Sequence, residues 1–271
     1  MAETTQYSVI VGSEAGDGPV HRSVERPHEL IDRPVGSSAT TMYDIFALGG
    51  LRMRPHAPCF GSRVSDSGAV GAYDWQSYAE VSRRVDHLAA ALWRCDLVPE
   101  TSDNMRLLGL YLKNSRDWMV TALACYRLGV TVVPMYDTLG ADTVAYIQRQ
   151  THVATVVCTQ AELPVLLANC PFANVIVTGA IEPALRERCI AAGLNLLGFS
   201  KLEATGAQVL VAEPQMLAQL PPPASYSLLV SRFCFAWLST LPFVLLKCKK
   251  RLMRPVIQLR QSRALGQRRQ Q

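Results

Sequence analysis

Five short apolar runs begin at residues 107, 130, 153, 174 and 194, a spacing of 20 to 23 residues. Stretches with helical periodicity lie between them. The runs are apolar throughout and do not alternate, so both faces of the sheet they build are expected to be covered. This alternation predicts an α/β fold, a doubly wound and mostly parallel sheet. The residues themselves do not repeat. With 271 residues, 49% apolar and 18% charged, the chain is long enough for one large or two small domains and too apolar for wholesale disorder.

Local signals place the elements. Residues 1–40 lack a sustained period and read as a flexible arm, with a short strand at Tyr7–Val11. The ordered body is expected from Thr41. Ser77-Tyr78-Ala79-Glu80 has the form of a capping box, in which hydroxyl and carboxylate each satisfy an orphan backbone N–H. Tyr78, Val81, Val85, Leu88 and Leu92 then follow at helical steps, with Arg83, Arg84 and Asp86 assigned to the outer face. A strand is read at Leu107–Leu112. Asn114 is expected to cap the next helix, with Asp117 near its positive end and Gly129 past its last turn. The reading continues with a strand at Val130–Pro134 and a loop at Tyr136–Gly140. Helices at 141–150, 161–169 and 181–192 alternate with strands at 153–158, 174–178 and 194–199.

Charge divides unevenly. The net charge is +5, yet no Asp or Glu follows Glu213, while residues 214–271 hold ten Lys or Arg. The body to residue 213 is therefore net acidic. The eight cysteines form no C-x-x-C pair and mostly sit in apolar runs, and the N-terminus lacks a secretory pattern. Free thiols in an intracellular, reducing setting are expected, either cytosolic or peripheral on the cytosolic face of a membrane.

Familiar catalytic motifs are missing. There is no G-x-x-x-x-G-K-[ST], no G-x-G-x-x-G after a strand and no G-x-S-x-G elbow. The five histidines do not cluster. His56 and Cys59 form an isolated H-x-x-C without a second ligand pair. Asp137 lies just past a strand's carboxyl end, where ligands of open α/β sheets bind, but an Asp-Thr-x-Gly loop also makes a tight turn and caps a helix. Asn114 and Trp118 have structural readings as a cap and a core anchor. No catalytic, cofactor-binding or metal-ligating residue is assigned.

Four segments, in order, resemble one family. Pro55-His56-Ala57-Pro58-Cys59-Phe60-Gly61-Ser62-Arg63 is similar to P-x-A-P-C-L-G-x-R, and Trp75-Gln76-Ser77-Tyr78-Ala79-Glu80-Val81 to W-x-[ST]-Y-x-E-V. Lys113-Asn114-Ser115-Arg116-Asp117-Trp118 is similar to K-N-x-x-E-W. Val133-Pro134-Met135-Tyr136-Asp137-Thr138-Leu139-Gly140 is close to V-P-L-Y-D-T-L-G. Together they resemble the long-chain fatty acyl-CoA synthetases of the adenylate-forming superfamily, over residues 41–213. The resemblance implies a ligase that joins a fatty acid to AMP with ATP and Mg²⁺, releases pyrophosphate, and passes the acyl group to coenzyme A.

The departures are large. After Pro221-Pro222-Pro223, where the family carries a glycine-rich phosphate loop, the sequence is Ser225-Tyr226-Ser227-Leu228-Leu229-Val230-Ser231, with no glycine or lysine. The adenine, ribose and C-terminal-domain lysine motifs are absent. Each lost donor aimed at developing phosphate charge costs about 3 kcal/mol of transition-state stabilisation, so the chain alone is expected to be inactive. Its loss of the family's packing partner is expected to expose apolar surface and promote self-association.

Residues 214–271 read as a divergent third part: a proline-rich linker, an apolar stretch at Tyr226–Leu246 interrupted by Arg232, and a basic tail. Three readings stand: a frame-shifted end, a segment lying on an anionic membrane surface, and a membrane anchor. Nucleic-acid binding is not expected, since the basic residues form no recognisable module.

Overall fold

The computed structural model describes residues 6–13, 18–30, 36–66, 69–169 and 172–223. The expectations for Tyr226–Leu246 and the basic tail lie outside the described residues. The chain divides into two units, residues 1–40 and 41–271. In the first, strands β1 (Ser8–Ser13) and β2 (Pro19–Ser23) pair antiparallel.

The second unit opens with a one-turn helix, α1 (Met42–Asp44), closed by a capping box between Thr41 and Asp44. A π-helical segment follows at Ile45–Leu51. Strands β3 (Pro58–Asp66) and β4 (Ala69–Ser77) then form an antiparallel hairpin. Gly61 faces Trp75 across it; a Cβ at residue 61 would lie 2.9 Å from the indole, so the ring needs glycine beneath it.

Helix α2 (Tyr78–Arg94) starts as its sequence predicts. The Ser77 hydroxyl accepts from the Glu80 N–H at 3.3 Å, and the Glu80 carboxylate accepts from the Ser77 N–H at 2.7 Å. These bonds from Ser77 hold the Glu80 carboxyl below its ordinary pKa. Val81, Val85, Leu88 and Leu92 are buried along one face.

The main sheet comprises β5 (Leu107–Tyr111), β6 (Thr131–Met135), β7 (Thr155–Cys158), β8 (Asn174–Val177) and β9 (Asn195–Gly198), all parallel, in the order β6-β5-β7-β8-β9. Helices α3 (Arg116–Arg127), α4 (Ala141–Thr151), α5 (Leu163–Asn169), α6 (Pro183–Ala191), α7 (Phe199–Ala212) and α8 (Met216–Gln219) complete it. Alternate strand residues feed two cores. Leu108, Leu110, Val132, Val157 and Ile176 pack with α2, α3 and α7. Leu107, Tyr111, Val133, Val156, Cys158 and Val175 pack with α4, α5 and α6. This is the doubly wound sheet expected from strands apolar on both faces.

Two local expectations need correction. The cap of α3 is Ser115, whose hydroxyl accepts from the Trp118 N–H at 3.1 Å, and not Asn114. Arg84 and Asp86 are half-buried: α7 (absent from the sequence reading beyond a strand ending at Phe199) packs across α2 over Arg84, and Asp86 lies toward Tyr43 and Arg127. Arg84 binds both Glu203 oxygens at 2.8 and 3.2 Å, Asp117 at 2.7 Å and Gln76 at 3.2 Å, joining α2, α3, α7 and β4. The β3–β4 hairpin also went unread.

Candidate functional site

The chain runs outward from β5 to β6 and returns past β5 to β7, so the winding reverses between β5 and β7. In open α/β sheets the loops beyond the strands' carboxyl ends at such a reversal form the binding crevice. The loops concerned are Leu112–Ser115 after β5, Tyr136–Gly140 after β6 and Thr159 onward after β7.

The β6 loop is a turn closed by the Leu139 N–H donating to the Tyr136 carbonyl at 3.0 Å. It is held from below: the buried Tyr111 hydroxyl donates to the Leu139 carbonyl at 2.8 Å. Asp137 leans toward the β5 loop, with its carboxylate 3.7 Å from the Lys113 ammonium. Lys113 is 81% exposed, so this pair is a loose surface tie. Asp137 therefore takes the turn that its sequence suggested. It does not cap α4, whose N-cap is Gly140 with no side-chain bond. Asn114 is exposed beside Lys113. Trp118 packs partly buried against the α2–α3 core, as a core anchor would.

After β7 the polar groups satisfy one another. Thr159 and Glu162 form a capping box, with the Glu162 carboxylate accepting from the Thr159 N–H at 2.9 Å and from its hydroxyl. The Gln160 side-chain oxygen accepts from the Glu182 N–H at 2.6 Å, joining this loop to the start of α6. The Thr-x-x-Glu spacing was readable as a capping box; the Tyr111–Leu139 and Lys113–Asp137 contacts join segments more than 20 residues apart and carry no sequence signal.

These loops offer little for a polyphosphate. Lys113 is the cation on these loops, and no run of glycines presents backbone N–H groups there. His56 and Cys59 sit where β3 begins; burial pushes the Cys59 thiol up to about 11, which disfavours the thiolate a metal needs. Among the described residues no three His, Cys, Asp or Glu side chains gather as a metal site. A separate pocket of about 270 Å³ lies between the end of α2 and α8, lined by Trp93, Arg94, Glu213, Met216, Gln219 and Leu220. Among the described residues no helix is long and apolar enough to cross a membrane.

The model of the AMP-binding enzyme family matches residues 52–201, more than half of the chain. Long-chain-fatty-acid–CoA ligase 6 of Rattus norvegicus is 31% identical over 175 residues, which are 62% of this chain and 24% of the relative. Long chain acyl-CoA synthetase 4 of Arabidopsis thaliana is 28% identical over 205 residues, 72% of this chain and 30% of the relative. The chain thus spans about a quarter of the length of the curated relatives it matches. Among solved structures, the A domain of carboxylic acid reductase from Segniliparus rugosus, in complex with AMP and a co-purified carboxylic acid, aligns with a TM-score of 0.48 at 17% identity. That alignment covers 73% of this chain and 33% of the other.

Proposed function

Since the chain belongs to the AMP-binding enzyme family, we propose that residues 41–213 are the N-terminal portion of a long-chain fatty acid–CoA ligase and that the 271 residues alone do not catalyse. Residues 1–40 are then an arm before that portion, and 214–271 a divergent end. The complete reaction would use a fatty acid, ATP with Mg²⁺, and coenzyme A, through an acyl-adenylate. One observation carries this reading: family sequence is present through the sheet and its Tyr136–Gly140 loop, while the 271 residues contain no glycine-rich phosphate loop. Adenylate formation requires several donors and cations aimed at phosphate oxygens. Lys113, already beside Asp137, does not amount to that set. The residues present therefore do not fit a bound triphosphate, and no step is routed through one.

Incubating the purified chain with ATP, Mg²⁺, palmitate and coenzyme A is expected to give no acyl-CoA above a blank. Acyl-CoA formation would overturn the inactivity. Sequencing the transcript past codon 271 addresses the ligase portion: a glycine-rich phosphate motif in any downstream frame supports it.

A second reading rests on the end of the chain, where Phe233–Leu246 is apolar and Lys247, Lys249, Lys250, Arg251 and Arg254 follow. It makes the protein a non-catalytic module on the cytosolic face of an anionic membrane. The full chain then sediments with phosphatidylserine vesicles and releases in high salt, and a chain ending at Glu213 does not. Equal sedimentation of both would exclude it.

A further inference from the structure

We infer that the outer edge of β9 receives an extended segment of a separate polypeptide as a sixth parallel strand. That segment carries an amide or hydroxyl side chain at its first position and aliphatic residues at the next two.

Three observations converge on this edge. Among the described residues no strand pairs with the outer side of β9, and Asn195-Leu196-Leu197-Gly198 contains no charge or proline to blunt it. The opposite edge, β6, contains Pro134 and is otherwise buried. Thr155, Asn174 and Asn195 stand in register on β7, β8 and β9 and form a side-chain ladder. The Asn195 amide donates to the Asn174 side-chain oxygen at 2.8 Å, the Asn174 amide donates to the Thr155 hydroxyl at 3.1 Å, and that hydroxyl donates to the Leu97 carbonyl. Every link donates inward, so the ladder leaves the side-chain oxygen of the exposed Asn195 as its terminal acceptor. Amide ladders of this kind extend by adding a donor at the same register. Finally, Leu196 and Leu197 are half-buried on opposite faces, one against the α4–α6 core and one against the α2–α7 core. A neighbour with aliphatic residues at those two positions extends both cores at once. Strands β7, β8 and β9 already share that pattern: Thr155-Val156-Val157, Asn174-Val175-Ile176 and Asn195-Leu196-Leu197.

Among the described residues, the chain after β9 leads away from this edge. The sheet steps outward from β7 to β9 through α5 and α6 on one face, whereas α7 packs on the other face against α2. A right-handed connection through α7 leads back toward β6. The chain follows that direction: Glu213 lies 3.7 Å from Arg94, and the Leu217 carbonyl accepts from Arg127 on α3 at 2.8 Å. A second copy related by a two-fold axis would pair β9 antiparallel, placing Gly198 opposite Asn195 with no side chain to continue the ladder.

The test uses the full chain and a fluorescein-labelled, capped peptide with the β8 sequence Ala173–Thr178 flanked by lysines, titrated by anisotropy. Saturable binding is expected. Replacing the peptide's Asn by Leu, or making Asn195→Ala in the protein, should each weaken binding about threefold, and together hardly more than either alone. Asn195→Thr, which keeps a donor and an acceptor, should retain binding. Proline at the peptide's Ile position should abolish it. Absence of saturable binding, or equal binding by the Asn and Leu peptides, overturns the proposal. So does a concentration-dependent dimer abolished by Leu197→Lys, which assigns the edge to a second copy.

Discussion

Asp86 shows how a side chain's setting inverts its expected role. Its place on α2 suggested a solvated carboxylate, but it is half-buried on the side of the helix near Tyr43 and Arg127, and that burial raises its pKa, with Arg127 pulling it partly back. A carboxyl that protonates more readily in the folded than in the unfolded chain lowers stability as pH rises above the unfolded value, about 4. Asp86→Asn should therefore be more stable than the parent at pH 7 and indistinguishable at pH 3, read from urea midpoints at both. The thiols divide by the same physics. Cys95 is exposed, Cys59 is half-buried with its thiol pushed up to about 11, and desolvation raises Cys125 and Cys158 further in the core. Iodoacetamide at pH 8, followed by peptide mass spectrometry, should modify Cys95 before Cys59 among the described cysteines. Cys125 and Cys158 should react only in denaturant.

Among the elements, those governed by local signals were readable and those governed by distant contacts were not. The start of α2 is a bond pair three residues apart, so Ser77 and Glu80 announce it. The cap of α3 was displaced by one residue because Asn114 and Ser115 both suit the role, and only the folded backbone places the Ser115 hydroxyl over the Trp118 N–H. Helix α7 was hidden because Gly206 lies in its middle, where glycine argues against a helix. The structure supplies the reason for that glycine: a Cβ at residue 206 would lie 1.7 Å from the His87 carbonyl oxygen on α2. The two helices touch backbone to backbone there. Gly206→Ala should therefore cost about 1–3 kcal/mol by forcing the crossing apart, despite alanine's better helix propensity. Urea denaturation measures the loss; an alanine variant as stable as the parent would show that the crossing yields freely.

At the scale of the molecule, one sheet separates two cores, and this was the most legible feature, since uniformly apolar strands at regular spacing have few other ways to be covered. The candidate site was legible only as a position. The Val133–Gly140 segment could be placed at a strand's carboxyl end, but the ties that shape its loop, from Tyr111 and Lys113, depend on β5 lying beside β6. The shared sheet also determines how the body fails. Trp93 and Trp118 both pack against the α2–α3–α7 core, whereas Leu166 on α5 is buried in the other. If the strands transmit loss of packing from one face to the other, Leu166→Ala should shift the fluorescence transition of Trp93 and Trp118, read in a Trp75→Phe, Trp237→Phe background. The expected cost is about 2–5 kcal/mol, as for a buried leucine in any single core. Leu92→Ala, in the tryptophans' own core, should move the same transition by a similar amount. A Leu166→Ala variant whose tryptophan transition stays in place while its circular-dichroism transition splits would mean that the two faces unfold separately. The sheet would then be a seam between two subdomains and not the centre of one.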